Sequence, residues 1–196
     1  MITAAHISKF LDKKSTVTIK GSGDIPLTYN IGNLINISHE LVWIKHNKAD
    51  IALLKLNPDP ETFIKLQGHF LPSSILEIEK KAPHRAKILT VLGFPLSLGV
   101  KGVFSPISKE TKSASGLLNL LRADTKIMAT FFVTQDPSIG GYSGAPVFDT
   151  GLPYSTSNTA IYVDMRETKI LGIVHGTISD KTGGKLGAIV PSYYIV

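Results

Sequence analysis

The stretch Gly140-Gly141-Tyr142-Ser143-Gly144-Ala145-Pro146-Val147-Phe148 puts the tightest limit on this chain: a small-residue turn presents one serine and runs straight into an apolar strand. Glycines ahead of the serine let the backbone turn sharply and let a ligand approach it closely. Such a turn can aim successive N–H groups at one point, which a tetrahedral oxyanion needs. Alone, G-x-S-G is a common surface turn. Two other segments change its meaning: Thr3-Ala4-Ala5-His6 at the start, and Ala49-Asp50-Ile51-Ala52-Leu53-Leu54-Lys55-Leu56. The order is histidine, aspartate, serine, with gaps of 44 and 93 residues. A serine hydroxyl is a weak nucleophile at neutral pH and needs a base within hydrogen-bond reach.

In sequence, order and spacing these three segments resemble the motifs of the chymotrypsin-like (trypsin-fold) serine proteases of the bacterial trypsin-like type. The resemblance implies an all-β chain of two antiparallel six-stranded β-barrels that hydrolyses peptide bonds through an acyl-enzyme. Ser143 would be the nucleophile and His6 the base and later the acid. Asp50 would accept a hydrogen bond from one ring nitrogen of His6 and so fix its tautomer. The backbone N–H groups of Gly141 and Ser143 would form the oxyanion hole. The ligand implied is a peptide or protein substrate, with no cofactor and no metal.

The resemblance also places the specificity pocket, between Pro137-Ser138-Ile139 and the strand carrying Val174-His175-Gly176. Pro137 falls near the position that carries an acid in trypsin-like enzymes, so cleavage after Arg or Lys is not expected. Gly93-Phe94-Pro95 resembles the G-Y-P element of bacterial members such as glutamyl endopeptidases. Those enzymes bind an acidic side chain with a histidine in a G-I-H strand. Here the histidine comes one residue later, in Gly172-Ile173-Val174-His175-Gly176, and one residue on a strand reverses the face. His175 therefore reads equally as a pocket residue or as a packed or solvent-facing strand residue, while the backbone of 174–176 can pair with substrate as an added strand. Tyr142 stands where the digestive enzymes carry an acid, so activation by insertion of a newly cut N-terminus is not expected.

In the resembling family about two strands precede the histidine, and here the motif begins with the chain. The sequence is thus read as two lobes, with an incomplete first barrel over 1–82 carrying His6 and Asp50, and a second over 83–196 carrying Ser143. A fragment, a lost or misassigned start and a reduced lobe all fit this reading. An unclosed barrel leaves free strand edges. A catalytically incomplete, peptide-binding scaffold is the alternative it raises. An α/β-hydrolase is disfavoured, since it would place serine before acid before histidine and would want glycine at Ala145.

Alternation and turn signals give strands at 15–20, 40–45, 51–56, 87–93, 100–107, 128–134, 147–148, 160–164, 169–176 and 185–192, with a further irregular one within 25–37. Residues 57–85 read as irregular connection and 151–158 as a loop. The run 114–122 (A-S-G-L-L-N-L-L-R) fits either a short helix or a loop. No cysteine is present among the 196 residues, so disulfides play no part in stability. The 21 basic residues, for a net charge of +6, are spread along the chain and not clustered with aromatics, which argues against nucleic acid as a partner. No run approaches the ~20 apolar residues of a membrane span, and no signal peptide is read at the start; with a truncated N-terminus among the readings, the compartment stays open, cytoplasmic being only the default. No His/Cys/carboxylate cluster with zinc-like spacing occurs.

Overall fold

The computed structural model describes residues 1–35, 40–85, 87–150 and 167–195. In chain order its elements are β1 (Ile2–Thr3), α1 (Ala5–Ser8), β2 (Thr16–Lys20), β3 (Pro26–Asn30), α2 (Ile31–Leu34), β4 (Ile44–Lys45) and β5 (Ala52–Leu53). They continue with α3 (Pro60–Leu66), β6 (Ile88–Gly93), β7 (Ile107–Lys112), β8 (Leu118–Leu121), β9 (Met128–Thr134), β10 (Pro146–Asp149), β11 (Lys169–Ser179) and β12 (Lys185–Pro191).

Seven strands form one antiparallel sheet in the order β7-β6-β10-β11-β12-β9-β8. β9 carries the β-branched and aromatic run Phe131-Phe132-Val133-Thr134, which suits a pleated, half-buried surface. A bridge between Ser113 and Thr134 ties the end of β7 back to β9. The Ala114 N–H donates to Val133 O at 2.8 Å and the Gln135 N–H to Lys112 O at 3.0 Å, so the sheet rolls around its own apolar face. Leu89, Val91, Phe132, Tyr142, Val147, Leu171, Val174 and Ile189 fill the inside.

The first half is slighter. β1, β5 and β4 make a three-stranded sheet, and β2 and β3 make a hairpin. Ile31, Ile35 and Leu54 form its small core. Ala49 and Ile51 pack instead with Ala129, Phe131, Ile173, Ala188 and Val190, so the segment around Asp50 is anchored in the larger sheet's hydrophobic cluster.

The expected all-β, antiparallel character is present. Among the described residues the strand pairing does not establish two closed six-stranded barrels. The first half contributes five short strands among the described residues, because Pro26–Asn30 turns into α2 and only Ile44–Lys45 and Ala52–Leu53 of the longer expected strands are paired. The segment 57–85 is not wholly irregular. Asp59 caps α3, accepting the Thr62 N–H at 2.9 Å, with proline at the first helical position. The 114–122 run becomes β8, because Leu118 to Leu121 pair with Phe131 to Met128 and sheet pairing decides an ambiguous leucine run. The strand expected at 100–107 instead begins at Ile107 as β7. The strand at Ala160–Asp164, the loop at 151–158 and the end of the 25–37 segment lie outside the described residues. No helix among the described residues is long and apolar enough to cross a membrane.

Candidate active site

The β1–β5 ladder creates the first half of the site. Thr3 pairs with Ala52 in antiparallel register, so residues just after β1 meet residues just before β5. His6, in the α1 turn, thereby arrives beside Asp50. Ala4, Ala5 and Ala49 are buried, and the close approach uses their small side chains.

Asp50 is completely buried. Its Oδ1 accepts the His6 backbone N–H at 2.9 Å and the Arg122 Nη2 at 3.0 Å. Its Oδ2 lies 2.6 Å from His6 Nδ1 and 2.6 Å from His175 Nδ1. An ionised carboxylate only accepts, so both imidazoles donate from Nδ1, and four donors match the four lone-pair sites of the two oxygens. Burial pushes the Asp50 carboxyl up, but the hydrogen bonds from His175 and His6 outweigh it and hold the group well below the usual carboxylate range.

Arg122 is itself buried. Besides Asp50 it donates from Nη1 to the Lys48 carbonyl at 2.8 Å and from Nε and Nη2 to Asp124 at 3.0 and 2.7 Å. One guanidinium therefore ties the β8–β9 turn to the Asp50 segment across 72 residues of chain. Sequence reasoning missed Arg122. Its signal is faint: an arginine ending a leucine run, two residues before an aspartate.

The serine turn completes the site. Gly144 has φ +84°, and a Cβ there would lie 2.7 Å from Thr3 Oγ1 and 2.9 Å from Ala4 N, so the turn rests against the segment that leads to His6. Gly141 has φ +100°, and a Cβ there would meet Leu96 N at 2.9 Å and Phe94 O at 3.0 Å. Tyr142 is buried in the sheet's core, and its hydroxyl donates to Ile107 O at 3.2 Å, so it anchors the turn. The N–H groups of Tyr142, Gly144 and Ala145 are spent on Ile139, Val174 and Tyr142 carbonyls. Those of Gly141 and Ser143 have no acceptor among the described residues. The Ser143 hydroxyl donates to the His175 carbonyl at 3.3 Å, and no hydrogen bond joins it to His6.

The fold thus gathers His6, Asp50 and His175, with the Ser143 turn against the same wall. His175 sits with its ring edge-on to that of His6, centroids 5.5 Å apart. Its side chain serves Asp50; Pro137, Ser138 and Val174 line a small cavity, and Ile139, His175 and Gly176 do not. His6, Asp50 and His175 also offer ligand atoms within 4.8 Å of one another, a grouping that sequence spacing did not show. Both N–O separations are hydrogen-bond distances, whereas zinc bonds of about 2.0–2.2 Å in a tetrahedron hold ligand atoms about 3.3 Å apart. Arg122 adds a cation on the other carboxylate oxygen. The set suits a hydrogen-bonded carboxylate better than a metal cage.

The sequence matches no protein-family profile and no curated protein. Among solved structures it is similar to an inactive, serine-to-alanine form of Rv3671c from M. tuberculosis H37Rv, with TM-score 0.54 and 15% identity over 99% of this chain and 72% of that one. It is also similar to a serine-to-alanine variant of the HtrA-type protease AlgW with a tripeptide, with TM-score 0.54 and 12% identity over 97% of this chain. The chain spans about half of AlgW's length, 48%. At these identities the likeness is one of fold, that of the trypsin-like serine proteases. A relation to glutamyl endopeptidases draws no support from these neighbours.

Proposed function

We propose that the chain is a serine endopeptidase acting through Ser143, His6 and Asp50. The observation that carries this is the buried Asp50 carboxylate, which holds both the backbone N–H and the ring Nδ1 of His6. That pair of bonds fixes the imidazole's position and leaves Nε2 as its basic nitrogen. The unspent N–H groups of Gly141 and Ser143 supply the second requirement, donors for a developing oxyanion.

The reaction then runs in two balanced halves. Ser143 Oγ attacks the peptide carbonyl carbon, and its proton passes to His6 Nε2. The carbonyl oxygen takes the negative charge and accepts from Gly141 and Ser143 N–H. The C–N bond breaks as the leaving amine takes the proton from His6, giving an acyl-serine. Water repeats the sequence and releases the acid. Asp50 stays ionised throughout and stabilises the imidazolium. In this reading 1–82 and 83–196 are the two lobes. The substrate lies along 174–176 as an added strand, with its side chain directed toward Pro137, Ser138 and Ile139.

A second reading, a peptide-binding scaffold without turnover, is favoured by one observation: the Ser143 hydroxyl turns to the His175 carbonyl and not to His6. Catalytic hydrogen bonds in unliganded sites are often long and tighten on binding, so the first reading absorbs it. Cleavage of a mixed peptide library, with new termini identified by mass spectrometry, separates the two. The proposal expects cleavage that drops by about 10⁴-fold or more in Ser143→Ala and His6→Ala. Peptide binding with no cleavage by the folded wild type supports the scaffold.

A further inference from the structure

The candidate specificity pocket is bridged by one side chain. Thr177 of β11 pairs with Gly187 of β12, and its Oγ1 donates to the Ser138 carbonyl at 2.9 Å. Ser138 belongs to the segment that forms one wall of the pocket, and β11 forms the other. The hydroxyl therefore spans the gap that an incoming side chain would enter. Thr177 falls just past the strand read from the sequence at 169–176, and β11 carries that strand on to Ser179.

The cavity that Ser138 helps to line is small. The cavity lined by Pro137, Ser138, Val174 and Gly187 holds about 20 Å³. A water needs roughly 10–15 Å³, whereas an apolar cavity that takes benzene measures about 150 Å³. The back wall is already in contact: a Cβ on Gly187 would lie 2.2 Å from Thr134 Oγ1 and 2.7 Å from Asp136 O. The pocket wall is also pinned from outside, since Lys109 Nζ donates to the Pro137 carbonyl. Widening the slot would break both side-chain bonds to consecutive carbonyls, those of Pro137 and Ser138.

We infer that Thr177 restricts the substrate to small side chains, such as Gly, Ala or Ser, on the acyl side of the scissile bond. This rests on the peptidase reading for the meaning of the pocket. The exclusion is steric: the Thr177 side chain reaches from β11 to the Ser138 carbonyl, so a large side chain entering between those two segments has to displace it. An aromatic or long aliphatic residue has neither the depth nor the opening. A threonine-to-glycine change removes the obstruction, and Thr177 is exposed, so the change does not threaten the core.

The test has a turnover arm and a binding arm. Peptides identical except for Ala or Phe before the cleavage point are given to the wild type, Thr177→Gly and Thr177→Val. The expected kcat/KM favours Ala over Phe by at least 100-fold in the wild type. Thr177→Val, which keeps the bulk, retains that preference, and Thr177→Gly raises the Phe value at least tenfold with the Ala value within threefold. Equal cleavage after Ala and Phe by the wild type, or an unchanged ratio in Thr177→Gly, overturns the inference. The binding arm titrates tripeptides ending in Ala or Phe into Ser143→Ala by calorimetry, and needs no turnover. Tighter binding of the Ala peptide that is levelled by adding Thr177→Gly upholds the slot even if the wild type proves inert, in which case only the peptidase reading falls. Equal affinities, or no binding of either tripeptide, overturn the slot whatever the turnover.

Discussion

Arg122→Met tests how the Asp50 carboxylate is kept charged inside the protein. The substitution keeps an unbranched side chain of similar reach in a site that is 4% exposed, and removes four hydrogen bonds. Asp124 is partly exposed and can turn to water. Asp50 is not exposed at all and keeps its charge with one donor fewer and no guanidinium. Removing one partner of a buried ion pair costs about 3–5 kcal/mol, chiefly because the other charge is left uncompensated. For a chain of this size that corresponds to a fall in Tm of about 6–20 °C. Urea denaturation at pH 7, followed by Trp43 fluorescence, measures the loss directly. The double-mutant cycle with Asp50→Asn isolates the cause. If the uncompensated carboxylate is responsible, Arg122→Met costs less in the Asp50→Asn background by about 0.5–3 kcal/mol. A loss below about 1 kcal/mol in the single variant, or full additivity in the cycle, would refute the reasoning.

Three further outcomes follow from the same geometry. His175→Ala deletes one of the two imidazole donors to Asp50 Oδ2 and should cost about 1.5–3 kcal/mol in urea denaturation, the range for a hydrogen bond to a charged group; a variant as stable as wild type contradicts that role. Asp50 titrates lower in the folded chain than unfolded, so its stabilising contribution is complete above about pH 4 and is lost as pH falls toward the lower folded value; the stability gap between wild type and Asp50→Asn should therefore hold steady above about pH 4 and shrink below it, and a constant gap argues against it. Gly141→Ala places a methyl against Leu96 N and Phe94 O at positive φ and should displace the Gly141 N–H, lowering kcat by about 10²–10³-fold with KM little changed; unaltered turnover would remove Gly141 from the proposed oxyanion hole.

The parts of the molecule legible in the sequence were those written in local pattern. β9 reads from its run of β-branched and aromatic residues, and β11 and β12 from theirs, because burial on a sheet leaves that composition behind. His6 and Asp50 were legible as motifs, and the antiparallel register of β1 and β5 is what turns those motifs into a contact. The missing readings are of two kinds. Asp59-Pro60 is a local helix-start signal for α3, passed over within a stretch read as irregular connection. Arg122 and His175 meet Asp50, and Thr177 meets Ser138, across 72, 125 and 39 residues of chain, and local sequence carries at most a faint trace of such contacts. The slight first half followed from the small number of paired residues in β1, β4 and β5, which pairing geometry decides and hydrophobic pattern alone does not.

The central claim is that Ser143 is an activated nucleophile served by His6. Labelling of the purified, folded chain with a fluorophosphonate probe measures that without any assumption about substrate. The account predicts a labelled wild type with the adduct mapped by mass spectrometry to Ser143, and no adduct in Ser143→Ala or His6→Ala. A folded wild type that does not label, or a His6→Ala variant that labels at the wild-type rate, would contradict it.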